Sequence, residues 1–254
     1  MRTTNTAFGF ALCFLLSMSQ GAVAGSGPAT VDVDAIVKAV MNNQYGTQYD
    51  AKHTCWTYTH TSKQGDDITY CMRPGLPELV ETAKGKLLFI SAANAYDIRD
   101  DNRYAYSQSQ PGLMGAFTIG IDTKGPWTYA ALNNAMEFGS GGYCGCNKAS
   151  FVKLSNQGDY GWLFVSGGAW NGTVVADYSI LMPRKGDFAD ISRIPQIQEG
   201  GQDIKYELKV ASDRPGAGLF PLVVTKIKGN VAIEDIQVNF DSKKFAYVMP
   251  SAKR

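Results

Sequence analysis

The chain has 254 residues, with 24 Lys and Arg against 23 Asp and Glu, and 44% hydrophobic and 11% aromatic residues. That length suits one large or two small domains. A charge balance this close to zero excludes a dedicated nucleic-acid binder, whose affinity needs a basic excess to neutralise phosphates. It gives no reason to invoke an anionic membrane surface either.

Residues 1–24 carry the three parts of a secretory signal peptide. Arg2 is the basic start, Ala7–Met18 an uncharged and mostly apolar run, and Ala22-Val23-Ala24 the small residues ahead of a cleavage point at Gly25. The apolar run is too short for an anchor, which takes roughly 20 residues. No later stretch reaches that length. The mature chain is therefore expected to be exported, periplasmic or secreted, without a membrane span. Cleavage removes only Arg2 among the charges and only Cys13 among the cysteines, leaving 23 basic against 23 acidic residues. The remaining Cys55, Cys71, Cys144 and Cys146 form an even set in an exported chain, which reads as disulfides. Three pairings are possible. The local one, Cys55–Cys71 with Cys144–Cys146, is preferred over the two that tie the Cys55 region to the Cys-Gly-Cys turn.

In chain order, Val33, Ile36, Val37, Val40 and Met41 recur at helical spacing, so 32–43 is an expected amphipathic helix, capped by Asp32 or Asp34 and followed by Gly46. From His53 the composition turns β-rich, and Gln64-Gly-Asp-Asp67 reads as the turn of a hairpin stapled by Cys55 and Cys71. Pro77–Lys84 is an expected short helix with Pro at its first turn and Gly85 ending it. Strands are expected over 86–96 and 115–122, while Thr128–Met136 fits helix or strand equally. A meander follows over 151–154, 160–165 and 173–181, and Asp187–Gln202, with Pro195 and Gly200-Gly201, reads as a long loop or linker. Four more strands fall at 204–210, 220–227, 231–240 and 245–249. The first alternates charged and apolar residues, as a strand with one wet face does.

The expected fold is mainly β: an antiparallel sandwich or jelly-roll-like core with an N-terminal amphipathic helix and one or two further short helices. It forms a single β-rich domain over 25–254, or a main domain over 25–200 with a small C-terminal β domain over 201–254.

Motifs of catalysis are scarce. His53 and His60 are the only histidines, and on one regular strand their odd separation turns them to opposite faces. His53 and Cys55 would share a face, but a disulfide-bonded Cys55 is no nucleophile. Phe138-Gly-Ser-Gly-Gly142 lacks the spacing of a nucleophile elbow, and the Cys-x2-Cys pairs of structural zinc sites are missing. Asp97, Asp100 and Asp101 form the densest acidic cluster, a candidate calcium or acid/base site, although turns attract Asp for backbone bonding anyway. Cys144-Gly145-Cys146 reads as a staple, because familiar redox pairs sit at a helix start in an α/β fold. Asn171-Gly-Thr173 matches a glycosylation sequon. No catalytic residue, cofactor or metal is expected. The leading expectation is an exported non-enzymatic binding protein that recognises a protein or glycan through the turn-borne aromatics Trp127, Tyr129, Tyr143 and Trp170; an inhibitor or immunity-type protein is one form of this. The alternatives are a hydrolase with a carboxylate pair and an envelope structural protein.

Overall fold

This computed structural model describes residues 31–82, 85–122, 126–170, 173–197, 204–213 and 218–250. The expected signal peptide, and Asn171 and Gly172 of the sequon, lie outside the described residues. Among those residues no helix is long and apolar enough to cross a membrane.

Helix α1 (Val33–Tyr45) starts where the Asp32 carboxylate accepts the Ala35 N–H at 3.0 Å, and it stops at Gly46, whose φ of +80° side chains rarely adopt. Its apolar spacing buries Ile36, Val40, Met41 and Tyr45. Burial of a side chain of this size contributes roughly 1.5–3 kcal/mol, which holds a helix too short to be stable alone.

Seven strands follow: β1 (Tyr49–Asp50), β2 (Cys55–Thr61), β3 (Asp67–Pro74), β4 (Glu78–Thr82), β5 (Gly85–Asn94), β6 (Gly112–Ile121) and β7 (Thr128–Phe138). They form an antiparallel sheet in the order β1-β2-β3-β5-β6-β7, with β4 hairpinned onto β5. Helix α1 lies on one face. The Tyr45 ring meets Tyr58 and Phe117 edge-on, and its hydroxyl donates to the Asn134 carbonyl at 3.0 Å. Gly115 makes room for that hydroxyl, since a Cβ there would collide with it. The sheet also curls around the helix. β2 and β7 are four strand spacings apart, about 19 Å if flat, yet His60 Nε2 lies 2.9 Å from Glu137 Oε1.

The second sheet contains β8 (Ser150–Lys153), β9 (Tyr160–Trp170), β10 (Thr173–Arg184), β11 (Asp187–Asp190), β12 (Ser192–Ile197), β13 (Ile204–Val210), β14 (Leu222–Lys228), β15 (Val231–Val238), β16 (Phe240–Asp241) and β17 (Ala246–Val248). Its main order is β15-β14-β13-β12-β10-β9-β8. All pairings are antiparallel except β12 with β17. Residues alternate between two cores, as the strand period of two requires. Trp162, Phe164 and Leu181 pack with Phe89, Met114 and Ala116 of the first sheet, whereas Leu163, Ile180 and Met182 join Tyr206, Leu222, Val224 and Tyr247 in a second core. The protein is thus mainly β, with antiparallel sheets and few helices.

Several expectations need correction. The expected helix at Pro77–Lys84 is a strand over the part described: Glu78–Thr82 pairs residue by residue with Phe89–Gly85, and hairpin bonding outweighs the weak helical preference of so short a segment, while residues 83 and 84 lie outside the described residues. The presumed linker at 187–202 holds β11 and β12, with Pro195 seated where β10 pairing shifts register. Thr128–Met136 falls within β7. The further short helices shrink, among the described residues, to single 3-10 turns at Asn102–Tyr104 and Cys146–Lys148.

Candidate functional site

His53 does not stand on a strand. It occupies the turn between β1 and β2, just before Thr54, which adopts a φ of +52°. From there its ring reaches two carboxylates. Nδ1 lies 3.0 Å from Asp50 Oδ2, and Nε2 lies 3.2 Å from Asp100 Oδ1. Two carboxylate partners require a proton on each ring nitrogen, so the imidazolium form fits this site. Asp50 is saturated with donors. Oδ1 accepts the backbone N–H groups of Lys52 and His53, while Oδ2 also accepts the Tyr104 hydroxyl and Arg103 Nη2. Tyr104 in turn lies 2.8 Å from Thr57 Oγ1, and Lys52 Nζ sits 2.6 Å from Asp100. The knot packs beside the Cys55–Cys71 bond, with Ala95, Ile98 and Tyr104 around the sulfurs.

These contacts set the ionisation. Hydrogen bonds from His53 hold the Asp50 carboxyl well below the usual carboxylate range. Asp101 is held down to about 2 by the Arg103 guanidinium, and Asp100 is lowered by Lys52. His53 is raised, chiefly by Asp50. The histidine contribution to stability is complete below its unfolded value of about 6.5 and is lost as pH climbs through the raised folded value. The carboxylate contributions are complete above about 3.9 and are lost as pH falls through the lowered values. Melting temperature is therefore expected to plateau between about pH 4 and 6.5 and to fall on both sides. His53→Gln is expected to flatten the alkaline limb in a thermal-unfolding series across pH. An unchanged alkaline limb in that variant would remove His53 from the linkage.

Asp50, His53 and Asp101 bring ligand atoms within 4.8 Å of one another. The guanidinium of Arg103 and the imidazolium already stand where a cation would sit, so these residues suit an internal ion network rather than a metal. The carboxylates of the candidate acidic cluster are divided among different cations. Asp97 faces Arg73 at 3.8 Å, Asp100 takes Lys52 and His53, and Asp101 takes Arg103.

Arg73 links the knot to a second feature. Its Nε and Nη2 donate to the His53 carbonyl at 3.1 and 2.7 Å, and its side chain lines a cleft of about 390 Å³. Trp162, Phe151 and Cys146 form the apolar part of that cleft. Tyr96, Asp97, Asn147 and Glu78 supply polar groups. Phe151, Trp162 and Phe89 contact one another at ring separations of 5.1–6.0 Å, which fixes the aromatic surface.

The Cys144–Cys146 turn builds one wall. Both cysteines are buried and bonded to each other, and Cys55 is bonded to Cys71, the local arrangement. Gly145 sits at φ +71° against the Val165 carbonyl, and a Cβ on Gly112 would strike the Cys144 backbone. The turn is thus wedged between β6 and β9.

The four turn aromatics are not brought to one place. Trp127 and Tyr129 stack edge-on at 5.4 Å, with Gln44 donating to the Tyr129 hydroxyl. Tyr143 lies beyond the far end of β7, roughly 30 Å of strand from Tyr129, and packs at 4.8 Å against Tyr96, which lines the cleft. Trp170 closes β9, and its side chain lies outside the described residues. The cleft itself was missed from sequence, because its lining comes from segments far apart in the chain. Comparison with protein-family models, with curated proteins and with solved structures finds no match.

Proposed function

We propose that the protein is an exported, non-enzymatic binding protein with a sandwich-like scaffold, and that its cleft holds a saccharide. The observation that carries this reading is the lining of one cavity by the half-buried Phe151 and Tyr96, backed by the buried Trp162, together with Asp97, Asn147 and Arg73. Sugar rings offer an apolar face and a rim of hydroxyls. Aromatic surfaces suit the first, and planar carboxylate, amide and guanidinium groups suit the second. A volume of about 390 Å³ falls within the usual range of small-ligand sites. The two disulfides support the export part, since such bonds persist in oxidising compartments.

The hydrolase alternative draws on Glu78 and Asp97, two carboxylates in the same cleft. Against it, the Asp97 side chain is 69% exposed and faces Arg73, unlike the enclosed carboxyl that serves as a general acid.

Titration of the mature chain with cello-, xylo-, malto- and chito-oligosaccharides, read by tryptophan fluorescence, tests the proposal. One class is expected to bind without being cleaved, and Tyr96→Ala to weaken that binding by about three- to tenfold. Cleavage products in the same mixture would favour the hydrolase. Absence of binding across all four classes would end the saccharide reading.

A further inference from the structure

We infer that the saccharide bears a protonated primary amine, received by Glu78; this deepens the reading above and rests on it. Three of the residues lining the cleft are charged: Arg73, Glu78 and Asp97. Arg73 is committed, giving two donors to the His53 carbonyl and standing 3.8 Å from Asp97. The Glu78 carboxylate has no hydrogen-bond or ion-pair partner among the described residues, and those residues leave the cleft with one uncompensated negative charge.

Strand alternation explains where that charge points. On β4, Glu78 shares a face with Val80, which packs on the core between the sheets, while Leu79 and Glu81 face outward. The outward Glu81 has its own cation, Lys86 at 3.1 Å. The inward Glu78 has none, although it lies in the less solvated position. A carboxylate there is costly until an opposite charge arrives, and a partly enclosed site strengthens the pairing when it does. Tyr96 and Phe151, the half-buried aromatics of the lining, favour the same ligand, because ring faces attract ammonium groups. The competing explanation is that an inward charge on the edge strand β4 deters pairing with another chain.

Isothermal titration of the mature chain at pH 5.5 with a glucosamine tetramer and an N-acetylglucosamine tetramer separates these cases, since the two differ in the amine charge. The wild type is expected to bind the glucosamine tetramer about tenfold or more tightly, a preference that Glu78→Gln abolishes and Glu81→Gln leaves intact. A thermal melt of each variant establishes that it is folded. Equal binding of both tetramers, or a preference for the acetylated one, would overturn the amine inference while the saccharide reading stands. A preference that survives Glu78→Gln would overturn the role of Glu78. If neither tetramer binds, the amine inference fails, and binding of cello-, xylo- or malto-oligosaccharides decides the saccharide reading separately.

Discussion

Gly145→Ala is expected to destabilise the protein by on the order of 4 kcal/mol, combining a left-handed backbone that alanine tolerates poorly with a collision against a carbonyl that cannot move aside. Gly145 has a φ of +71°, and a Cβ placed there would run into the Val165 carbonyl in the middle of β9. Gly141 supplies the control. Its φ of +61° is nearly the same, but nothing lies within 4 Å of its would-be Cβ, so Gly141→Ala should cost only about 1–2 kcal/mol. Urea unfolding of the two variants therefore isolates the collision from the backbone preference. Equal losses would mean that the Cys-Gly-Cys turn is not wedged against β9. A much larger loss at Gly145 would place the cleft wall in the seam between the sheets.

The parts of the fold that were legible in the sequence are those decided by local chemistry. Asp32, the apolar spacing through Met41 and Gly46 mark a helix start, face and stop within one segment. The β2–β3 hairpin is announced by its β-rich flanks and its Gly65-Asp66 turn. Segments whose state depends on distant partners were not legible. Glu78–Thr82 becomes a strand because Phe89–Gly85 is there to pair with it, and β11 and β12 exist because β10 offers them edges. The site follows the same division. The cysteine pairing is short-range and was readable, and Asp50-x-x-His53 is a local spacing that could have flagged the knot. Asp100, Arg103 and Tyr104 reach it from about fifty residues away, and the cleft joins residues from β3, β5 and β9 that no spacing connects. The acidic trio Asp97, Asp100 and Asp101 looked like one site because it is dense in sequence, yet each carboxylate turns to a different cation.

Replacing both Cys55 and Cys71 by alanine is expected to cost about 3 kcal/mol, the chain-entropy value for a loop of this size; the two residues are 16 apart in sequence. The physical interest lies in what the bond shares with its neighbours. Cys55 and Cys71 pack against Ala95, Ile98 and Tyr104, and Tyr104 donates to Asp50, the acceptor at the centre of the His53 knot. The disulfide ties β2 to β3, and the knot ties the turn before β2 to the loop that follows β5, whose Ala95, Ile98 and Tyr104 pack on the disulfide. Once one restraint is gone, those segments are already loosened, and removing the second takes away less. Asp50→Asn in the background lacking the Cys55–Cys71 bond is therefore expected to lower the melting temperature by less than it does in the wild type, a departure from additivity typical of groups in one network. The alkaline limb of the pH profile should shrink in the same background, since His53 loses the rigid setting that raises its protonation. Additive losses, with the alkaline limb unchanged, would mean that the covalent and ionic restraints act on independent parts of the fold.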